Sequence, residues 1–193
     1  MSAPTSLLEP PPSVRFEAAR DRVDLWVIAL SPDGSEPARA ALRRVLAGYL
    51  GVSPADVALE SGPNGKPRLA AGCGLDLRFN FSHSGDVALV AVRLGHEVGV
   101  DVEAIRPGVD TAAIAFAQFD DSERAALAED GSDERFFRAW ARHEALAKAT
   151  GRGIVRAPDA GDASRFRVLD VDGIPGCAAA VTSEGDGWSV RRI

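Results

Sequence analysis

The sequence predicts an α+β fold, in which strands and helices occupy separate stretches of the chain. The chain has 193 residues, which suits one large domain or two small packed ones. Apolar residues alternate with polar ones through most of the first half, helical patterns follow, and strand patterns return at the end. We expect two lobes that meet near residues 104–109.

The elements of the first half are marked by apolar alternation and by turn residues. A strand over 23–30 leads to a helix that Asp33 or Ser35 can cap, with Pro37 in its first turn and Gly51 after its end. Further short strands are predicted at 57–60, 75–81, 87–92 and 97–103, with a loop at 62–67.

The second half is predicted to contain a helical block and then three strands. The helices are expected at about 110–117, 121–129 and 133–149, and the strands at 166–171, 177–182 and 187–192. We expect a Pro-rich, loosely ordered start at 1–20, a first lobe at 21–106 and a second lobe at 107–193.

The composition excludes several classes of protein. The net charge is −6, so the chain lacks the overall basic character typical of nucleic-acid binding. No apolar run is long enough to cross a bilayer, and the N-terminus does not resemble a signal peptide. Cys73 and Cys177 fit no metal-binding spacing, so we expect free thiols and a cytoplasmic protein.

The basic residues are unevenly chosen, because 20 are Arg and only two, Lys66 and Lys148, are Lys. One explanation of Lys at these two positions is that they need a compact ammonium group that can release a proton, because the guanidinium of Arg effectively cannot release one. Codon bias is the other explanation.

The stretch 135–154, RFFRAWARHEALAKATGRGI, predicts a helix with a functional face. Phe136, Trp140, Glu144 and Lys148 are four apart, so neighbours in this series share one side of the helix. Glu144 and Lys148 thus continue the apolar stripe. The alternative is an ordinary Glu–Lys pair, worth roughly 0.2–0.5 kcal/mol.

The stretch VGVDVE, residues 98–103, predicts a strand with two carboxylates on one face. Asp101 and Glu103 point the same way and repel each other, whereas the valines point to the opposite face. A divalent cation would relieve the repulsion, because magnesium takes oxygen ligands, and Glu144 could supply a third carboxylate. The alternative is an edge strand with a solvated acidic face.

Two further stretches carry groups suited to phosphate oxygens. In FNFSHSGD (79–86) a strand runs into a turn, and His83 lies between two serines, one of them Ser82. GPNGKPRL (62–69) presents Lys66 from a tight turn, although it is not a Walker loop. The alternatives are a turn whose side chains bond the local backbone and a solvated loop lysine.

Taken in order, GPNGKPRL, FNFSHSGD, VGVDVE and WARHEALAKATGRGI resemble the 4′-phosphopantetheinyl transferase superfamily, specifically its surfactin-synthetase-activating type. The G-[IV]-D-[IV]-E and W-x-x-[KH]-E-[AS]-x-x-K elements are the specific ones. The resemblance covers about residues 37–154. It implies an α+β monomer of two similar lobes related by a pseudo-twofold, each an antiparallel sheet with packed helices, and coenzyme A in the cleft between the lobes.

The resemblance also implies an activity and its site residues. The phosphopantetheine arm of coenzyme A would pass to a serine of an apo acyl or peptidyl carrier protein, releasing adenosine 3′,5′-bisphosphate. Asp101, Glu103 and Glu144 would hold Mg²⁺ or Mn²⁺, Glu144 would act as general base, and Lys148 would lie on the phosphates. Ser82, His83 and Lys66 would contact the coenzyme.

The chain departs from the family pattern in two places. His143 stands where many members have Lys, which predicts a pH dependence sensitive to His143. The segment before the first helix is short, so Arg39, Arg43 or Arg44 would stand in for the basic residues that contact the 3′-phosphate.

An acidic enzyme that meets an acidic carrier needs a local basic and apolar patch. We expect it around residues 110–129 and at the end of the Glu144 helix, with Arg124, Arg138 and Arg142 contributing. The alternative functions are a non-catalytic binding module for coenzyme A or a carrier protein, and a different magnesium-dependent phosphoryl enzyme such as a pyrophosphate hydrolase.

Overall fold

The computed structural model describes residues 16–31, 37–62, 65–71, 75–151 and 164–193. The strands in chain order are β1 (Arg22–Ala29), β2 (Leu59–Ser61), β3 (Pro67–Leu69), β4 (Leu77–Ser84), β5 (Val87–Leu94), β6 (Val98–Ala104), β7 (Phe166–Asp170), β8 (Cys177–Glu184) and β9 (Ser189–Arg192). The α-helices are α1 (Ala38–Leu50), α2 (Thr111–Gln118), α3 (Asp121–Asp130) and α4 (Asp133–Thr150), and a 3₁₀ turn covers Pro54–Asp56.

The strands form three sheets. A four-stranded sheet has the order β4-β5-β1-β9, a three-stranded sheet has the order β6-β8-β7, and β2 pairs with β3 alone. All pairs are antiparallel except β1 with β9, which is parallel. The α+β prediction is therefore confirmed, with one parallel pair added.

The two larger sheets pack on each other and share the central core. Leu25 and Leu89 of the four-stranded sheet meet Val100 and Val181 of the three-stranded one, and all four side chains are almost fully buried. These residues alternate along their strands with residues of the opposite face. The alternation of apolar and polar residues in the sequence therefore marks strands whose apolar faces pack against the other sheet.

One helix covers the outer face of each sheet. The apolar side of α1, including Leu42 and Leu46, packs on Val90 and Val92 of β5. On the other side of the molecule α4 packs on the three-stranded sheet, where Ala141, Ala145 and Ala180 form a small cluster. Small side chains on both surfaces allow a close approach of α4 to this sheet.

A buried carboxylate fixes the parallel strand β9 to β1. Asp24 is fully buried and accepts hydrogen bonds from Arg191 Nε at 2.9 Å, Arg191 Nη2 at 2.8 Å and the Tyr49 hydroxyl at 2.8 Å. The Tyr49 hydroxyl in turn accepts from Trp26 Nε1 at 3.1 Å. Asp24 thus ties β1, β9 and α1 together.

The predicted elements correspond closely to the observed ones. Every predicted helix and strand is present, but the strand expected at 57–60 begins only at Leu59, and β3 and the 3₁₀ turn were not predicted. The loop at 62–67 ends where Pro67 begins β3. Gly51 ends α1 in the left-handed conformation (φ 67°), as expected. Helix α1 begins after Pro37, and the proposed caps Asp33 and Ser35 lie outside the described residues.

The sheets do not follow the predicted lobe boundary. β6 precedes residue 107 but pairs with β8, and β9 follows it but pairs with β1. Each larger sheet therefore takes a strand from both sequence halves. The boundaries at 106/107 and the pseudo-twofold relation stay predictions, and most of the Pro-rich start lies outside the described residues.

Within the described ranges, none of the helices combines the length and apolar character needed to cross a membrane. Cys177 is a free, partly buried thiol, as expected, and burial raises its pKa. Cys73 lies outside the described residues.

Candidate active site

Strand β6 presents its acidic residues to α4. Its valines point into the core between the sheets, so Gly99, Asp101 and Glu103 point the other way. A Cβ atom at position 99 would lie 2.0 Å from the carbonyl oxygen of Ala145 and 2.7 Å from the backbone nitrogen of Ala149. The absence of a side chain at Gly99 therefore lets the α4 backbone rest directly on β6.

Helix α4 brings Glu144 and Lys148 to Asp101. Ser132 caps its start by accepting a hydrogen bond from the Arg135 amide, and Gly151 ends it in the left-handed conformation (φ 72°). Lys148 Nζ lies 2.6 Å from Asp101 Oδ1. The predicted pairing of the helix face with the acidic strand face is therefore present in the structure.

Ser82 of β4 completes this contact. Its hydroxyl donates to Asp101 Oδ1 at 2.8 Å and accepts from Lys148 Nζ at 2.9 Å. Ser82 and Asp101 are both buried, whereas Lys148 remains partly exposed. Charge-assisted hydrogen bonds of this kind are the strong ones, so Ser82, Asp101 and Lys148 form a rigid group.

Burial and mutual repulsion change the proton affinity of the other two carboxylates. Glu144 is 4% exposed, and burial, followed by the charge of Asp101, raises its pKa to about 7 although Lys148 opposes the shift. Burial and then Asp101 also raise the pKa of Glu103, while a hydrogen bond from Trp140 acts to lower it. A carboxyl group whose pKa is near neutrality can exchange a proton at physiological pH.

Two oxygens of the acidic group lack partners. Among the described residues, Asp101 Oδ2 and Glu144 Oε1 are buried side-chain oxygens with no hydrogen bond. Buried carboxylate oxygens are normally paired or coordinate a metal. Nevertheless, no set of three or more His, Cys, Asp or Glu side chains in the described part of the chain is arranged to hold a metal ion.

A cleft of about 470 Å³ opens beside this group. Its lining includes Arg39 and Arg43 of α1, Ser82 and His83 of β4, and Lys148. Arg39 and Arg43 are four apart on α1 and therefore lie on one side of it. The structure thus brings Arg43, Ser82, His83 and Lys148 together, as predicted, and adds Arg39 from the three alternatives.

Lys66 does not line this cleft. Its Nζ donates to Glu97 Oε2 at 2.9 Å and to the Val98 carbonyl at 3.4 Å, and Glu97 also binds Arg78. Lys66 therefore anchors its loop to the start of β6. Its expected contact with the coenzyme stays a prediction, although its neighbours Gly65 and Pro67 do line the cleft.

His143 lies in an aromatic cluster. It stacks on Trp140 at a centroid distance of 6.0 Å and meets the edge of Phe119 at 5.4 Å. Burial lowers its pKa, although Glu123 opposes the shift, and its Nε2 is buried without a partner among the described residues. The lowered pKa favours the uncharged ring at neutral pH, and the pH dependence that we expect of His143 stays a prediction.

The sequence reasoning did not predict the close approach of Gly99 to α4. Gly99 belongs to the G-[IV]-D-[IV]-E element of the resemblance, and a glycine inside a strand signals a close backbone approach. The effect of Trp140 on Glu103, whose pKa it acts to lower, was also not predicted, although Trp140 was placed on the helix face of Glu144.

Comparisons with known proteins find similar sequences in one superfamily. A family model described as the 4′-phosphopantetheinyl transferase superfamily matches residues 97–191. The 4′-phosphopantetheinyl transferase HetI of Nostoc sp. is 34% identical over 171 residues, which cover 79% of this chain and 71% of HetI. The 4′-phosphopantetheinyl transferase AcpT of Salmonella typhimurium is 35% identical over 128 residues, 65% of each chain. AcpT of Escherichia coli is 40% identical over 93 residues, 47% of each chain.

The match to HetI is the most extensive of these three, because it covers more than two thirds of both chains. The match of the family model begins at Glu97 and therefore contains β6 and α4, which carry the acidic group. The chain belongs to the 4′-phosphopantetheinyl transferase superfamily.

Proposed function

We propose that this enzyme transfers the 4′-phosphopantetheine arm of coenzyme A to a serine hydroxyl of an apo acyl or peptidyl carrier protein. Adenosine 3′,5′-bisphosphate is the other product. The observation that carries the proposal is the buried group of Asp101, Glu144 and Lys148 at a cleft lined by basic side chains, in a chain of this superfamily.

The unpartnered oxygens of the acidic group suit a magnesium ion, or manganese in its place, although no three carboxylates of the described residues are already arranged around one metal position. Asp101 Oδ2 and Glu144 Oε1 are buried and unpartnered, and carboxylate oxygens are the ligands that magnesium takes. We propose that Asp101, Glu103 and Glu144 hold the ion. When bound, it would neutralise negative charge on the pyrophosphate of the coenzyme. Lys148 balances part of the carboxylate charge through Asp101.

The cleft suits the phosphates of coenzyme A. Arg39, Arg43, His83 and Lys148 supply donors from three different elements, so they can contact phosphate groups at separate positions. Arg43 already donates to the Val57 carbonyl, which fixes its guanidinium beside the cleft. Reaction at a pyrophosphate depends on such positioning and charge neutralisation more than on covalent catalysis.

The residues around the cleft can then carry the proton transfers. The serine oxygen of the carrier forms a bond to the phosphorus that bears the pantetheine arm, and the bond from that phosphorus to the nucleotide oxygen breaks. We propose that Glu144 takes the serine proton as general base, since burial already brings its pKa to about 7 in the metal-free protein and a bound cation would favour its ionised form. The Lys148 ammonium stabilises the negative charge that develops on the departing bisphosphate.

The pH dependence of the reaction tests the role of Glu144. We expect kcat/KM for coenzyme A to rise with pH as Glu144 loses its proton, with a midpoint below the metal-free pKa of about 7 because a bound cation favours the ionised carboxylate. His143→Phe should keep this midpoint, because the ring is buried against Trp140 and already uncharged. A midpoint that disappears in His143→Phe would assign the titration to His143 instead.

Helix α2 is the part of the predicted carrier-docking surface that the contacts favour. Phe116 is 75% exposed, and the Arg124 guanidinium lies 5.3 Å from the centre of its ring. An exposed aromatic ring beside a cation suits an acidic partner that buries an apolar side chain. Arg138 and Arg142 form ion pairs with Asp170 of β7, and their expected part in this surface stays a prediction.

Phe116→Ala should raise KM for the carrier protein roughly 5- to 30-fold, the usual cost of removing a central interface aromatic. KM for coenzyme A should stay unchanged, since Phe116 does not line the cleft. Val52→Ala is the matched control, because Val52 is also an exposed apolar side chain. Equal effects of both substitutions on the carrier would exclude α2 as the docking surface.

Intact-mass analysis of apo carrier proteins tests the proposed function. The carriers are incubated with the enzyme, coenzyme A and Mg²⁺, with EDTA in a parallel sample. We expect a gain of one phosphopantetheine that EDTA prevents. A protein that binds coenzyme A but modifies no carrier would be the binding module that we considered as the alternative. The rates on different carriers would decide whether the enzyme is of the surfactin-synthetase-activating type.

A further inference from the structure

Strands β4 and β6 lie side by side but belong to different sheets, and side chains of β4 link them. Asn80 Oδ1 accepts a hydrogen bond from the Val100 amide at 3.0 Å, and Ser84 Oγ accepts one from the Ala104 amide at 3.0 Å. β6 is the edge strand of its sheet, so these amides face away from its partner β8. The β4 side chains take the place of a neighbouring strand's carbonyls.

These two hydrogen bonds lie on either side of Asp101 and Glu103 in the sequence. Val100 directly precedes Asp101, and Ala104 directly follows Glu103. Asn80, Ser82 and Ser84 alternate along β4 and therefore point to one side of it. Ser82, in the middle, donates to the Asp101 carboxylate at 2.8 Å. Three consecutive same-side residues of β4 thus contact the backbone and the side chain of the segment that carries Asp101 and Glu103.

We propose that Asn80 and Ser84 are positioning residues for the carboxylates of β6. By binding the amides on either side of Asp101 and Glu103, they fix the register of β6 against β4. That register sets Asp101 against Ser82 and Lys148, which line the cleft together with His83. The proposal rests on the proposed function, because the positions of the carboxylates matter only if they bind the metal that would neutralise the phosphates.

The hydrogen bonds of Asn80 and Ser84 are expected to hold β6 firmly against β4, because losing them would be energetically costly. Asn80 is 3% exposed, so a Val100 amide without this acceptor would be a buried unsatisfied donor. β6 pairs with β8 along its whole length, but on the side of β4 only side chains hold it, so loss of these hydrogen bonds would let β6 shift relative to Ser82. Groups that orient metal ligands typically change metal affinity or activity by roughly 10- to 100-fold when they are removed.

The test uses Ser84→Ala, Asn80→Ala and the conservative Ser84→Thr, which keeps the hydroxyl. Tyr49→Phe is the control, because it removes a buried hydrogen bond at Asp24, a residue outside the site. Mn²⁺ binding in the presence of coenzyme A is followed by electron paramagnetic resonance, and amide hydrogen exchange at Val100 and Ala104 is followed by NMR.

We expect Ser84→Ala and Asn80→Ala to weaken Mn²⁺ binding by roughly 10-fold or more. The Ala104 amide should exchange faster in Ser84→Ala, and the Val100 amide should exchange faster in Asn80→Ala. Ser84→Thr and Tyr49→Phe should behave as wild type. Unchanged Mn²⁺ affinity in Ser84→Ala, despite faster exchange of the Ala104 amide, would overturn the proposal. Unchanged hydrogen exchange of these amides in the variants would also overturn the proposal. If Asn80→Ala does not fold, the result for Ser84→Ala decides alone. Failure of the wild-type enzyme to modify any carrier would instead contradict the proposed function.

Discussion

Replacing Glu144 with Gln is expected to abolish most of the transfer and yet to stabilise the folded protein at pH 8. Loss of the general base should lower kcat by roughly 10²- to 10⁴-fold. The stability gain follows from burial, because Glu144 is 4% exposed and its Oε1 has no partner among the described residues. Gln keeps the shape of the side chain without the charge.

The stability gain of Glu144→Gln should be larger at high pH than at low pH. Folding raises the pKa of Glu144 from 4.5 to about 7, so the folded state holds the proton more tightly than the unfolded state. The ionised carboxylate therefore disfavours folding above pH 7, by on the order of 3 kcal/mol at 1.4 kcal/mol for each pKa unit. This penalty decreases as the pH falls through 7 and is absent below about 4.5.

Urea unfolding in EDTA, at pH 8 and at pH 5, measures this difference. Glu144→Gln should exceed wild type in unfolding free energy at pH 8 and by clearly less at pH 5. Glu134→Gln is the matched control on the same helix, since Glu134 is exposed and pairs with Arg138. A Glu144→Gln protein less stable than wild type at both pH values would mean that the carboxylate has a partner in the folded state.

Gly99→Ala is expected to damage both the fold and the site. The new Cβ would lie 2.0 Å from the Ala145 carbonyl oxygen, which belongs to backbone and cannot rotate away. Helix α4 must therefore move off β6, and overpacking of this kind costs roughly 1–3 kcal/mol or more. The same movement takes Glu144 and Lys148 away from Asp101, and a misplacement of about 1 Å can lower the rate by roughly 10²-fold.

The activity of Gly99→Ala has to be measured at a temperature where circular dichroism shows the variant fully folded. Gly187→Ala is the control, because no atom of the described residues lies within 4 Å of a Cβ atom at that position. Wild-type turnover and stability in Gly99→Ala would show that α4 does not depend on close contact with β6.

The helices and strands could be predicted because each carries a local signal. Ser132 and Gly151 bound α4, and the alternation of valines with Asp101 and Glu103 marks β6 and its two faces. The meeting of Glu144 and Lys148 with Asp101 was predictable from the family resemblance, because helix periodicity gives a shared face but not the strand it contacts.

Other features depend on tertiary contacts that have no local signal. The addition of β9 to β1 requires Asp24 and Arg191, which are far apart in the sequence but 2.8 Å apart in the structure. Lys66 is in a phosphate-type loop by sequence, and only the structure shows its ion pair with Glu97. His143 adjoins Glu144 in the chain, but the helical turn directs it to Phe119 instead of the acidic group.

The central claim is that the carboxylates of β6 and α4 form the metal and phosphate site of a phosphopantetheinyl transferase. A crystal of the enzyme grown with coenzyme A and Mn²⁺, measured for anomalous scattering, tests it most directly. We predict one strong anomalous peak in contact with the carboxylates of Asp101 and Glu144, next to the pyrophosphate in the cleft lined by His83 and Lys148. Coenzyme A bound in that cleft with no peak at Asp101, or with the metal held elsewhere, would contradict the claim.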